Sequence, residues 1–181
     1  ARELGYNYIK LHEIFTPEVE AARKILGDDI PIMVDTNCPW TKDQARQILS
    51  KWEDFNLYWV EEPINPPEDF ESLSNLRSES LIPIAAGENA CTSFEFKKMF
   101  EYEAVDYAQP SVTKVGGITE FKKIISVAET FGVQVMPHSP YFGPGFLATL
   151  HLSQSVPNSG LLERFFIDFE AYIYPEQIFN P

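Results

Sequence analysis

Cysteine and positive charge are both scarce in this chain. Only Cys38 and Cys91 occur among 181 residues, too few for a disulfide framework and without the spacing of a zinc site, so the chain is read as belonging to a reducing compartment, the cytoplasm. Lys and Arg number 14 against 27 Asp and Glu, a formal net charge of −13. Such a surface repels nucleic acid and anionic membranes on average, while leaving room for a local cationic pocket that takes a small anion. No apolar run approaches the roughly 18 residues of a membrane span. The start, Ala1-Arg2-Glu3-Leu4-Gly5, has neither an initiator Met nor a signal-peptide core and reads as the end of a helix, which suggests a chain beginning inside a domain. Low-complexity stretches and flexible linkers are absent. The dinucleotide Gly-rich turn of many open α/β sheets is absent too, since Gly116-Gly117 alone is too weak a signal.

What is present suits a globular core. Apolar residues make up 44% and charged residues 23%, near the average for folded domains, and the length fits one domain or most of one. Short apolar runs alternate with helical patterns. Strands are expected at Tyr6 to Leu11, Pro31 to Val34, Leu57 to Val60, Ile82 to Ala86, Val105 to Ala108, Val133 to Met136 and Gly160 to Leu162. Helices are expected at Pro17 to Leu26, Thr41 to Phe55, Pro67 to Leu76, Ser93 to Phe100, Thr119 to Phe131 and Gly145 to Ser155. This alternation predicts a parallel sheet with right-handed crossovers. A whole (β/α)8 barrel takes about 250 residues, so the expected fold is an α/β barrel of that type, incomplete, with about seven βα units.

Reactive side chains fall at the ends of these strands. In order they are Lys10 and His12, Asp35, Glu61, Glu88, Ser111, His138 and Glu163, and from His12 onward the intervals are 23, 26, 27, 23, 27 and 25 residues. The polar period equals that of one βα unit. In a barrel the C-terminal strand ends share one mouth, where an active site forms. Asp35, Glu61 and Glu88 come from successive strand ends, and three carboxylates in one pocket call for a hard divalent cation with oxygen ligands, for which magnesium fits best. Because Glu62 adjoins Glu61, the ligand at that strand is either of the two, with Glu61 preferred.

Lys10 and His12 are two apart and share a strand face. The ammonium would meet an anionic group, and the imidazole can move a proton near neutral pH. His138, in Met136-Pro137-His138-Ser139-Pro140, is placed as a base across the mouth from that pair. Glu163 is either a proton donor or the ion-pair partner of Arg164. His151, inside a helical pattern, is set aside.

Lys10-Leu11-His12, Val34-Asp35-Thr36-Asn37, Trp59-Val60-Glu61-Glu62-Pro63, Gly87-Glu88-Asn89, Gln109 through Gly117, Met136-Pro137-His138 and Leu162-Glu163-Arg164 together resemble the mandelate racemase and muconate lactonizing enzyme branch of the enolase superfamily, from about Gly5 to Arg164. The resemblance implies magnesium held by Asp35, Glu61 and Glu88. It also implies removal of the proton α to a substrate carboxylate, with the resulting enediolate stabilised by the metal and Lys10. His138 matches the family's base, and Glu163 a position that donates to the carboxylate. Three features depart from the family pattern. His12 stands where a second base is commonly Lys, and Ser111 stands where many members pair an Asp with the histidine or carry a lysine base. Neither the N-terminal capping domain nor the first barrel strand is present. Lys114 is given a loop role.

The expected organisation is a partial barrel catalytic domain over residues 1–170 and a C-terminal tail over 171–181. The first functional expectation is dehydration of an acid sugar. Open alternatives are a racemase or epimerase of a 2-hydroxy acid, using both His12 and His138, and an inactive metal-binding barrel fragment. The expected partners are a small carboxylate substrate and, in the complete protein, further copies of itself, with no nucleic acid or membrane.

Overall fold

Strands and helices alternate throughout the computed structural model, which describes residues 2–157 and 159–167. The expected tail over 171–181 lies outside the described residues. The described residues form two compact units, one from Tyr6–Ala86 with Lys98–Asp106, the other from Gly87–Lys97 with the described residues after Asp106 and before Tyr6.

In the first unit, β1 (Ile9–His12), β2 (Ile32–Asp35), β3 (Leu57–Glu61) and β4 (Ile84–Ala86) pair in sequence order, every pairing parallel. All of β2 is buried, as a strand covered on both faces must be, and this explains its unbroken apolar run. The helices are α1 (Thr16–Leu26), α2 (Lys42–Trp52) and α3 (Phe70–Glu79). Ala45, Leu49 and Trp52 of α2 form its buried stripe, the spacing of one helical face. Local hydrogen bonds set the helix starts. Thr41 and Gln44 make a reciprocal capping box before α2, and the Asp69 carboxylate accepts from Ser72 N–H at 3.0 Å, so α3 starts at Phe70 rather than at Pro67. Below the strands, buried Arg23 donates to the carbonyls of Phe55, Gly27, Ile30 and Asn56. Burial lowers its pKa from the ordinary value, with Asp28 opposing the shift.

In the second unit, β5 (Tyr107–Ala108) pairs in parallel with β6 (Gln134–Val135) across α5 (Ile118–Phe131), and α6 (Pro144–Ser155) follows. Helix α4 (Ser93–Glu101) contributes residues to both units. The Thr92 hydroxyl caps α4 by accepting from Glu95 N–H at 3.2 Å, and Glu120 of α5 takes one more of the open amides, Ser93 N–H, at 2.9 Å. Gly87, at φ +135°, packs so closely that a Cβ there would lie 2.8 Å from Phe96 and 3.0 Å from the Gln109 amide.

Six strands, not the seven expected, form among the described residues. Residues Gly160 to Leu162 are not a strand. Val135 makes an isolated bridge to Ser159 and accepts from Gly160 N–H at 2.8 Å, but the next amide, Leu161 N–H, goes to the Met136 sulfur at 3.1 Å. Beyond this bridge no further rung forms among the described residues.

Candidate functional site

Register explains the cluster of the first unit. His12 pairs with Asp35, and Asp35 with Glu61, so three strand ends finish on one rung. Lys10 lies two residues behind His12 on the same strand face. Its Nζ donates to Glu61 Oε1 at 3.0 Å and Oε2 at 3.2 Å, and lies 3.6 Å from Asp35 Oδ2. Trp59 Nε1 also donates to Glu61 Oε2, at 3.2 Å. Asp35 Oδ1 accepts from Asn37 N–H at 3.1 Å, while His12 Nε2 lies 3.3 Å from Asp35 Oδ2. Glu61 is fully buried, whereas the His12 side chain is 61% exposed. The two adjoining acids point to different partners, for Glu62 sits at φ +46° and its Oε2 accepts from the Cys38 thiol at 3.2 Å. That turn breaks the strand alternation, so Glu61, and not Glu62, joins Asp35 around Lys10.

The second unit gathers Glu88, His138 and Glu163. His138 Nδ1 lies 2.9 Å from Glu88 Oε2 and 3.4 Å from Glu163 Oε2. Glu163 Oε2 also accepts from Ser139 N–H at 3.0 Å, and the Ser139 hydroxyl donates to the Glu163 carbonyl, so the segment after β6 holds this acid against the imidazole. Lys114 Nζ donates to Glu88 Oε1 at 3.0 Å. Burial acts to raise the Glu88 carboxyl, but the hydrogen bond and charge of His138, followed by those of Lys114, outweigh it and hold the pKa at about 2. A carboxylate so placed stays ionised.

Two residues here escaped the sequence reading. Lys114, assigned to the loop, is a cation on Glu88, and its position within the Gln109 to Gly117 motif was the available signal. Tyr141 lies three residues after His138, and its ring stands at 84° to the imidazole with centroids 5.9 Å apart. Ser111 is fully buried and bonds the Tyr141 hydroxyl. The Ser111 hydroxyl bonds to Thr113, Tyr141 and the Lys114 amide rather than to the imidazole. His151 lies exposed on α6.

Comparison with known proteins identifies the family to which this parallel α/β scaffold belongs. Residues 1–180 match the family described as Enolase C-terminal domain-like, and the chain belongs to the enolase superfamily. It is similar to L-talarate/galactarate dehydratase of Salmonella typhimurium, 37% identical over 172 residues that cover 91% of this chain and 42% of that protein. It also resembles 3,6-anhydro-alpha-L-galactonate cycloisomerase of Streptomyces coelicolor, 32% identical over 155 residues covering 86% of this chain and 41% of the other. Among solved structures, L-talarate dehydratase from Polaromonas sp. JS666, complexed with Mg and L-glucarate, superposes with a TM-score of 0.77 at 33% identity, covering 90% of this chain and 44% of that one. The fold is therefore α/β, an incomplete (β/α)8-type barrel, and the chain spans less than half the length of these relatives. Among the described residues no helix is long and apolar enough to cross a membrane.

Proposed function

We propose that the complete protein abstracts the proton α to the carboxylate of an acid sugar, with magnesium, and that loss of the β-hydroxyl follows. The single observation that carries this reading is the placement of His138 Nδ1 against Glu88 and Glu163. Two carboxylates beside Nδ1 favour the tautomer that keeps its proton on that nitrogen, which leaves the lone pair of a neutral imidazole on Nε2, the atom that takes the α-proton. The dehydratase relatives support the same class of reaction.

The donor chemistry fits magnesium. Asp35, Glu61 and Glu88 offer hard carboxylate oxygens, and Glu88 is ionised throughout the neutral range. The assignment of these three as ligands rests on the strand-end pattern and the family resemblance. When bound, the ion supplies positive charge that makes the α-proton more acidic. Lys10, already a donor to Glu61, adds charge where the substrate carboxylate gains electron density. His138 Nε2 accepts the proton, the C–O bond at the β-carbon breaks with acid assistance, water leaves, and the enol becomes a keto acid. Glu163 holds the imidazole at Nδ1.

Epimerisation is the second reading, in which His12, its Nε2 3.3 Å from Asp35 Oδ2, serves a second face of the α-carbon. Incubating the full-length protein with magnesium and a panel of acid sugars in heavy water tests both. Dehydration gives a keto acid, epimerisation gives deuterated acid of both configurations, and neither product from any acid would sink the proposal. Assembly of the full-length protein into a homo-oligomer is proposed alongside, and light scattering measures it.

A further inference from the structure

The Ser111–Tyr141–His138 arrangement carries a role that neither strand ends nor motifs announce. His138 is attached through two rotatable bonds, and contacts at Nδ1 alone leave its ring free to tilt about that anchor. The ring of Tyr141 stands perpendicular to it, with centroids 5.9 Å apart. That ring is itself held at both ends. Its amide donates to the Ser139 carbonyl at 2.7 Å, and its hydroxyl bonds to the fully buried Ser111, whose oxygen also meets the Thr113 hydroxyl at 3.2 Å and the Lys114 amide at 3.4 Å. Gly145 leaves the necessary room, since a Cβ there would come 2.7 Å from the Thr113 methyl and 3.4 Å from the Tyr141 ring.

We infer that Tyr141 is a positioning residue for His138, its ring fixed against the imidazole by the hydroxyl bond to Ser111. A serine at this point adds no charge beside the histidine. It acts at one remove, by locking the tyrosine whose ring limits the imidazole's tilt, and so keeps Nε2 directed at one point. Misplacing a reacting atom by about 1 Å can cost on the order of a hundredfold in rate. The catalytic consequence rests on His138 being the base, whereas the packing itself does not.

The test uses the full-length protein with Ser111→Ala, Tyr141→Phe and the double variant. Tyr141→Phe keeps the ring and removes only the hydroxyl. The NMR signal of the His138 Cε1–H group, assigned by its loss in His138→Asn, should shift by the same amount in both single variants and no further in the double, because each breaks the same link. On the acid sugar turned over fastest in the screen, kcat for α-proton exchange should fall roughly tenfold in each, with KM nearly unchanged and no added loss in the double. Signals that stay put in both single variants, or shifts and losses that accumulate in the double, overturn the inference. Exchange that survives His138→Asn overturns instead the reading of His138 as base, and with it the catalytic role of Tyr141.

Discussion

Lys10 Nζ donates to both carboxylate oxygens of the fully buried Glu61, at 3.0 and 3.2 Å, from a strand two places away in the parallel ladder. A buried carboxylate is tolerated only with such partners, and removing one strands the other. Lys10→Met is therefore expected to cost about 3 kcal/mol of stability, read from urea unfolding, and to slow α-proton exchange as well. Full stability in the variant would mean that Glu61 does not depend on this ammonium.

Glu88→Gln keeps the shape of the side chain and removes its charge. The fold should survive and magnesium affinity should drop by at least tenfold, measured by titration calorimetry on the full-length protein, because a hard cation gains most from ionised oxygen donors. Unchanged affinity removes Glu88 from the proposed ligand set.

His138→Asn should abolish α-proton exchange in heavy water, while His12→Asn should leave at least half of it. The unequal effect follows from their settings, one imidazole buried between two acids and the other largely exposed. Loss of exchange only in the His12 variant would reverse the assignment.

Asp69 makes a prediction about pH. The hydrogen bonds from Ser72 at the start of α3 lower its carboxyl pKa, burial opposing them and Lys42 helping slightly. Since the folded value lies below the unfolded one, the cap's stabilisation is complete above about pH 4 and is lost as pH falls through the folded value. Asp69→Ala should cost about 1 kcal/mol at pH 7, and the difference from the parent should shrink below pH 4 in denaturation curves. A gap independent of pH would show that the cap acts without its charge.

Gly87 and Gly27 separate backbone strain from crowding. Both have positive φ, but a Cβ at Gly27 meets nothing within 4 Å, whereas one at Gly87 collides with Phe96 and the Gln109 amide. Gly27→Ala should cost about 1 kcal/mol and Gly87→Ala roughly 3 kcal/mol, compared by thermal unfolding. Equal costs would mean that Phe96 yields freely.

Much of the scaffold was legible because it is written in near neighbours. The stripe Ala45, Leu49 and Trp52 announces α2, Thr41 and Gln44 announce its start, and the all-buried run of β2 announces a covered parallel strand. Lys10, His12, Asp35 and Glu61 could be expected at one level because strand ends recur at the length of a βα unit. The helix expected from Pro67 starts three residues later, at Phe70, because the hydrogen bond that opens it is made by Asp69.

The amino-acid order by itself determined the α/β alternation, the family, and the rung of His12, Asp35 and Glu61, since periodicity and motif spacing act over one strand or one helical turn. Tertiary structure decided what those side chains touch. Whether Glu61 or Glu62 faces Lys10 depended on the backbone turning at Glu62. Lys114 found Glu88 across 26 residues, and Tyr141 found Ser111 across 30. Such pairings have no local signature, because the free energy that selects them comes from burial and hydrogen bonding between segments that meet only once the chain has folded.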